Sequence, residues 1–540
     1  MRWLDSRVGF GLLAALYVLS FPYHPALRSP NELCRAWASR AIVDFHQLSI
    51  NGVLQTMGGV GDLSCTTTVA DASGAEKLIP CVGPDSNPGP GWTPKARHYY
   101  SSKAPLVSFL GAPVYWALSR FGAVSELSQI FWSRLFVNIL PTLLMLVALR
   151  KFLRAQLVPE LADLLTVTYG LGTMAFSYSE AFMSHQLTAV LLFGAFYAAW
   201  KVEKGEWKVT AYLLAGALAG AAVMAEYTAA LGVVCVASYT VAARWRRWGA
   251  LGVAAGLVVL GSLPFLGGLM AYHQACFGGP LLSGYKFLND AGYQGWHQGG
   301  FLGIKLPDPQ AFVLSLVSPL RGLFTLSPFL ALALWGLKDL RAVDKAQFAF
   351  LVVLLAGNAY FTSSFAYGSW GWTVGPRHLT PRVPFLLVPA GLALNRLRTS
   401  ERLLAFSVGA GLCVTSVLAT GVVAFTNYIP DDVSTSPWGL ALPLLADGYY
   451  PVSALVGLVA NPVSGLLLIA LLGAVTVWLA QRFVALRAVG LIVAVVAVAH
   501  FGVLRLFTRN DAGDVNAQKF MKSVWLAPNG VRVDFGATRR

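Results

Sequence analysis

The sequence predicts an all-α integral membrane protein of about 13 transmembrane helices, with a large first outer loop carrying interfacial helices. Three observations lead there. Only 12% of the 540 residues are charged, about half the share usual in soluble proteins. Mean hydropathy is +0.60. Apolar runs of about 20 residues, enough for a helix to cross a bilayer, recur almost to the end of the chain. The balance of 40 Lys+Arg against 25 Asp+Glu gives +15, yet it does not point to nucleic acid. The basic residues sit in short clusters between apolar segments, where they orient spans toward the cytoplasm. Six cysteines in a chain of this length are no disulfide scaffold.

The first apolar run is Val8–Pro22, after a short basic start Met1–Arg7. A cleaved signal peptide looks similar, but the bulky Phe21-Pro22-Tyr23-His24-Pro25 offers no small-x-small cleavage site, so the run is kept as a span. A polar stretch follows to Lys103. Apolar runs then cover 104–119, 127–149, 161–177, 184–200, 209–225, 226–243, 249–271, 322–337, 346–363, 380–395, 403–424, 463–481 and 488–507. Basic clusters follow many of them, at 150–154, 201–208, 244–247, 338–345, 396–402 and 482–487. If every run crossed, all six clusters would fall outside. Taking 104–119 out of the count places all six inside. That segment carries Pro105 and Pro113 and is short for a crossing, so it reads as an interfacial or re-entrant helix.

The expected division is a membrane region over 1–400, which includes the outer loop 23–126. Further helices follow over 401–507, then an outer-face tail over 508–540. The outer regions 23–126, 272–321, 364–379 and 425–462 are long enough to build a site. The cytoplasmic turns are not.

Several outer residues are candidates. Ser29-Pro30 marks a helix start, Pro being suited to the first turn. Glu32 in that turn is either a capping acid favoured by the helix dipole or a base for a hydroxyl nucleophile. The run Lys95–Leu106, with Tyr99, Tyr100 and Lys103, gathers cations and aromatics ahead of the interfacial helix. It serves either as a membrane anchor or as a lipid-phosphate site with Lys103 as the point charge. Glu180 and His185 flank apolar helices at the outer level, where ionisable residues are functional candidates; His185 can equally be a packing residue. Glu226-Tyr227 interrupts an apolar stretch and reads as structural. Arg321 and Arg377 either snorkel or meet an anionic head group. Arg377 lies in the densest polar–aromatic cluster of the chain, Tyr367–Pro384. Cys65 and Cys81 share the outer loop and can pair in an oxidising compartment. CxxC, HExxH, Walker and GxGxxG patterns are missing from the sequence.

Asn31-Glu32 after the first span, the Tyr99–Pro105 segment, and Gly375-Pro376-Arg377-His378-Leu379-Thr380-Pro381 before a late span stand in order. Together they resemble the bacterial multi-pass C-type (GT-C) glycosyltransferases, which include protein O-mannosyltransferases and lipid A aminoarabinose transferases. The resemblance covers roughly residues 1–400. It implies inverting transfer from a polyprenyl-phosphate sugar to an envelope glycan, lipid or protein acceptor on the outer face of the inner membrane. Family members open the first loop with an Asp-Glu pair whose Asp is the base. Asn31 fills that place here and cannot take a proton, so the resemblance passes the role to Glu32, with Glu180 as the second acid. It also implies donor or substrate binding by Lys103, Arg377, Tyr100, His185 and His378. No cofactor is implied with certainty, and a divalent cation is possible. The competing classes are a transporter or flippase of lipid-linked sugars, which would show inverted repeats and midplane charges, and a non-catalytic envelope scaffold.

Overall fold

The computed structural model describes residues 7–20, 29–299, 303–365, 374–400, 402–426, 436–450, 453–457, 459, 461–483, 487–506 and 511–522. Helix occupies each of the apolar stretches read as spans. Among the described residues five helices are long and apolar enough to cross a membrane by length and composition alone: Glu126–Arg154, Trp248–Phe277, Lys345–Ser364, Leu403–Ala424 and Val463–Ala480. Others are cut by local chemistry. Thr173 is extended and separates Pro159–Gly172 from Met174–Ser179. The stretch at 380–395 begins as a 3-10 helix, Arg377–Leu386, where Pro381 and Pro384 cannot donate helical hydrogen bonds. It becomes α-helical only over Leu387–Thr399.

Small residues allow close helix approach. A Cβ on Gly216 would lie 2.0 Å from the Val258 carbonyl oxygen, and one on Gly261 would lie 2.1 Å from that of Leu213. Helices Tyr212–Ala225 and Trp248–Phe277 therefore touch backbone to backbone. Between membrane helices such contact replaces the hydrophobic drive that lipid does not supply.

Five of the six basic clusters converge on one end of the bundle. Arg150 and Arg154 both grip the buried Asp163, at 2.7 and 2.5 Å. Gln156 bonds Gln347, which bonds Asp344, which pairs with Lys204 at 3.3 Å. Arg244 meets Glu203, and Arg396 meets Asp339. The sixth cluster, 482–487, has its side chains outside the described residues. The helix Ser184–Glu203 runs from this end to the outer side, about 30 Å away at 1.5 Å per residue.

The outer loop departs from the all-α expectation. After α1 (Arg7–Ser20), it opens with α2 (Pro30–Asp44), which begins at the anticipated Ser29-Pro30 although the Ser29 side chain makes no cap bond. After the short α3 (Asn51–Met57) comes an antiparallel sheet of order β2–β1–β3, built from β1 (Leu63–Ala70), β2 (Glu76–Pro80) and β3 (Thr93–Ser101). Its centre, Thr66-Thr67-Thr68-Val69, is a β-branched run that favours a pleated surface. A Cys65–Cys81 disulfide joins β1 to the residue after β2. The segment removed from the span count is α4 (Leu106–Ser119); it lies on α2, with Ser39 Oγ donating to the Ser108 carbonyl at 2.8 Å.

The C-terminal helices belong to the same bundle. Thr420 Oγ1 donates to the Leu326 carbonyl at 2.8 Å, and His500 Nε2 lies 3.0 Å from that of Thr325.

Candidate active site

The sheet register builds the centre of the site. Leu63 pairs with Ser101, so the residues just beyond the two strand ends, Asp62 and Ser102–Lys103, are brought side by side. The Ser102 N–H donates to the Asp62 carbonyl at 3.1 Å, and Lys103 Nζ lies 3.1 Å from the Asp62 carboxylate. Asp62 holds a left-handed φ of 58°, unusual for a non-glycine residue and a mark of a constrained position.

Two further outer segments close on this pair. Ser64 Oγ donates to the Gly284 carbonyl at 2.7 Å, and the Asn289 N–H donates to that of Leu63 at 2.9 Å. These bonds set the Tyr285 ring 5.8 Å from the Lys103 ammonium and stack it on His297 at 4.3 Å. The Lys305 N–H reaches the Ser364 carbonyl at 2.7 Å, and Phe365 packs against His378 with centroids 5.4 Å apart.

The convergence encloses a cavity of about 1470 Å³. Asn31, Asp62, Lys103, Glu226, Arg377 and His378 line its polar part. The rest is apolar, walled by Leu231, Leu266, Leu269, Met270, Tyr360 and Phe361 from three helices. Met270 and Tyr360 are 43% and 55% exposed, so this limb reaches the outside of the helix bundle.

Charge inside the cavity is uneven. Burial raises the Asp62 carboxyl, but the charge and hydrogen bond of Lys103, with Arg377 and Arg35 beyond, outweigh it and hold the group below its usual range. Burial, then Lys103, with Arg377 beyond, lowers His297 to about 4, while Asp62 opposes the shift. Arg377 makes no ion pair among the described residues. The polar part therefore places two cations, Lys103 and Arg377, beside the Asp62 carboxylate that pairs with one of them, with Glu226 and Asp290 also in the lining; the two cations together suit a phosphate.

No family model matches the chain, and neither does any curated protein sequence. Solved structures do. ArnT from Cupriavidus metallidurans bound to undecaprenyl phosphate superposes with a TM-score of 0.51 at 14% identity, covering 93% of this chain and 79% of that one. The same protein in the apo state gives 0.49 at 16% identity, covering 93% and 78%. The Archaeoglobus fulgidus oligosaccharyltransferase gives 0.40 at 11% identity, covering 78% of this chain and 56% of that one. The chain shares the fold of that ArnT structure.

On that fold the expected site residues divide into two sets. Lys103, Arg377 and His378 line the cavity together, and so does Asn31. Glu32 does not. It is fully buried, forms a two-pronged pair with Arg134 at 2.6 and 2.8 Å, and accepts the Phe182 N–H. That geometry favours the structural reading of Glu32, since both carboxylate oxygens are engaged behind the wall. Glu180 is also fully buried off the cavity and accepts Ser20 Oγ at 2.5 Å. Tyr100 packs edge-on against Phe277 at 5.6 Å, with burial pushing its hydroxyl up to about 12. His185 sits one layer back, 5.5 Å from the His378 ring. Arg321 is buried and away from the lining. Residues 366–373 of the polar–aromatic cluster lie outside the described residues.

Sequence reasoning missed Asp62, Tyr285 and His297 altogether and set Glu226 aside as structural. Asp62 stands between Gly61 and a β-branched run, a loop-to-strand junction that was legible. Its partner 41 positions away was not, because the strand pairing that joins them carries no local signature.

Proposed function

We propose that the protein transfers a sugar from a polyprenyl-phosphate-linked donor to an acceptor on the non-cytoplasmic face of the inner membrane, with inversion. The observation that carries this reading is the two-part cavity. Lys103 and Arg377 stand at its polar part, and its apolar limb opens on the outside of the helix bundle. A polyprenyl tail enters from the bilayer through that limb, and its phosphate comes to rest between the two cations. The likeness to ArnT bound to undecaprenyl phosphate supports the same reading.

As the C1–oxygen bond breaks, negative charge grows on the leaving phosphate. Lys103 supplies a point charge and Arg377 a planar fork toward it. A carboxylate in the cavity wall receives the acceptor proton from the opposite side of the sugar, which accounts for inversion. Among the described residues no group of three or more His, Cys, Asp or Glu is placed to hold a metal ion, and no step here is routed through one. With the helices at all the expected spans, about 13 crossings put the N-terminus and the basic clusters inside.

Two measurements test this. Purified protein should bind undecaprenyl phosphate, and Lys103→Ala or Arg377→Ala should weaken that binding by tenfold or more, since each removes a counter-charge from a poorly hydrated site. Mass spectrometry of envelope glycans, lipids and glycoproteins from cells with and without the gene should reveal a sugar that depends on it. A flippase would instead change the sidedness of lipid-linked sugars without adding sugar to any acceptor. Undiminished phosphate binding in both Ala variants would refute the proposed donor site.

A further inference from the structure

Glu226 is a cavity carboxylate whose place in the chain suggests only a helix break. It follows helix Tyr212–Ala225 with an extended backbone, φ −155° and ψ 118°, before the next helix starts at Ala229. The break turns its side chain to the cavity wall, where that side chain is 9% exposed. The surroundings hold it in place. Glu226 Oε2 accepts the Ser184 hydroxyl at 2.7 Å, with His185 Nδ1 3.9 Å away. Ser184 in turn receives Arg35 NH2 at 3.2 Å, and Arg35 NH1 donates to the Asn31 carbonyl at 2.7 Å and to the Asn31 amide oxygen.

This chain ties Glu226 to Asn31 through two intermediates. Asn31 lines the same cavity, and its amide oxygen is occupied by Arg35 and has no useful basicity. Three cavity carboxylates remain. Asp62 is paired through Oδ1 with Lys103, which ties it to the phosphate side. Asp290 is exposed and caps a short helix through the Tyr293 N–H at 2.9 Å. Glu226 has no Lys or Arg within ion-pair distance among the described residues.

We propose that Glu226 is the catalytic base, taking the proton of the acceptor hydroxyl. This rests on the reading of the cavity as a glycosyl-transfer site. The acceptor oxygen forms a bond to the sugar C1 as its proton passes to the Glu226 carboxylate. The C1–oxygen bond to the polyprenyl phosphate breaks on the far side, and the electron pair leaves on the phosphate beside Lys103 and Arg377. Glu226 then returns its proton to water in the cavity. The Ser184 hydroxyl steadies the carboxylate and leaves Oε1 for the acceptor.

The test uses full-length protein and complementation of cells lacking the gene. Glu226→Gln keeps shape while removing basicity, so it should lower gene-dependent sugar transfer by about 10²–10⁴-fold with undecaprenyl phosphate bound as in the native protein. Glu226→Asp keeps a carboxylate on a shorter arm and should transfer measurably above the Gln variant. Near-native transfer by Glu226→Gln overturns the assignment. So does equal transfer by folded, phosphate-binding Asp and Gln variants, and, if the Gln protein is unstable, near-native transfer by a folded, phosphate-binding Glu226→Ala protein. Failure of the native protein to bind undecaprenyl phosphate would instead overturn the reading of the cavity itself.

Discussion

Asp62 and Lys103 form an ion pair at 3.1 Å across the open end of the β1–β3 ladder. The carboxylate is a resident counter-ion for the cation proposed to receive the donor phosphate. An incoming phosphate must displace it or share the ammonium with it. Asp62→Asn should therefore tighten undecaprenyl phosphate binding. The pair is partly exposed, 13% at Lys103 and 35% at Asp62. Solvent screens such pairs to about 1 kcal/mol or less, so the gain should be about fivefold at most. Direct binding measurements on the two proteins at low salt read this. Weaker binding by Asp62→Asn would show that Asp62 positions Lys103 rather than competing for it.

Glu32 and Arg134 make a different kind of pair, both members being essentially buried. Removing one partner of such a pair leaves an uncompensated charge and costs about 3–5 kcal/mol. Glu32→Gln and Arg134→Met should each sharply lower the melting temperature in detergent. The double variant Glu32→Leu/Arg134→Met should recover much of the loss, because no lone charge remains. A Glu32→Gln protein that melts like the native one but transfers no sugar would restore Glu32 as the base.

How much of this was legible follows from the range of the interactions involved. Hydropathy is local and dominates a membrane chain, so helices appear at the anticipated stretches, and the α4 segment packs on α2. Charge clusters are local too. Arg150 and Arg154 close on Asp163 nine to thirteen residues away. The Lys103 and Arg377 segments were visible because motif and composition coincide. The sheet was overlooked because Thr66–Val69 carries little hydropathy signal beside the apolar runs. The site assignment then suffered. Whether an acid faces a cavity or an arginine depends on partners 102 positions away for Glu32 and 42 for Glu226, and nothing in either local sequence tells the two apart.

Gly216 offers a test of the packing between helices Tyr212–Ala225 and Trp248–Phe277. The atoms that a new Cβ would meet belong to the Val258 backbone, at 2.0, 2.7 and 2.8 Å, and backbone cannot rotate aside. Gly216→Val should force the helices apart and abolish accumulation of folded protein. Gly256, in the partner helix, has nothing within 4 Å of its would-be Cβ. Gly256→Ala should be harmless, or slightly stabilising through helix propensity. Fluorescence-detected gel filtration of tagged variants distinguishes the outcomes. Equal yields of the two would mean that the close contact contributes little.

His297 gives a pH signature of phosphate binding. Burial holds it down to about 4, helped by Lys103 and Arg377 and opposed by Asp62, so the free protein keeps it neutral from pH 5 upward. A phosphate anion beside Lys103 and Arg377 offsets those two cations and raises the His297 pKa. By linkage, a ligand that raises a pKa binds more tightly as the pH falls through the raised value. A rise of one unit gives about a twofold gain at pH 5 and about fivefold at pH 4 relative to neutral pH, since each unit is a factor of ten in proton affinity. The phosphate titrates in the same range and loses charge on acidification, which acts in the opposite direction. Comparison with His297→Gln removes that contribution, because the phosphate is common to both. The ratio of variant to native dissociation constants for undecaprenyl phosphate should therefore grow as pH falls from 7 to 4. A ratio that stays flat would mean that the phosphate binds away from the Lys103–Arg377 end, and the donor site would have to be sought elsewhere in the cavity.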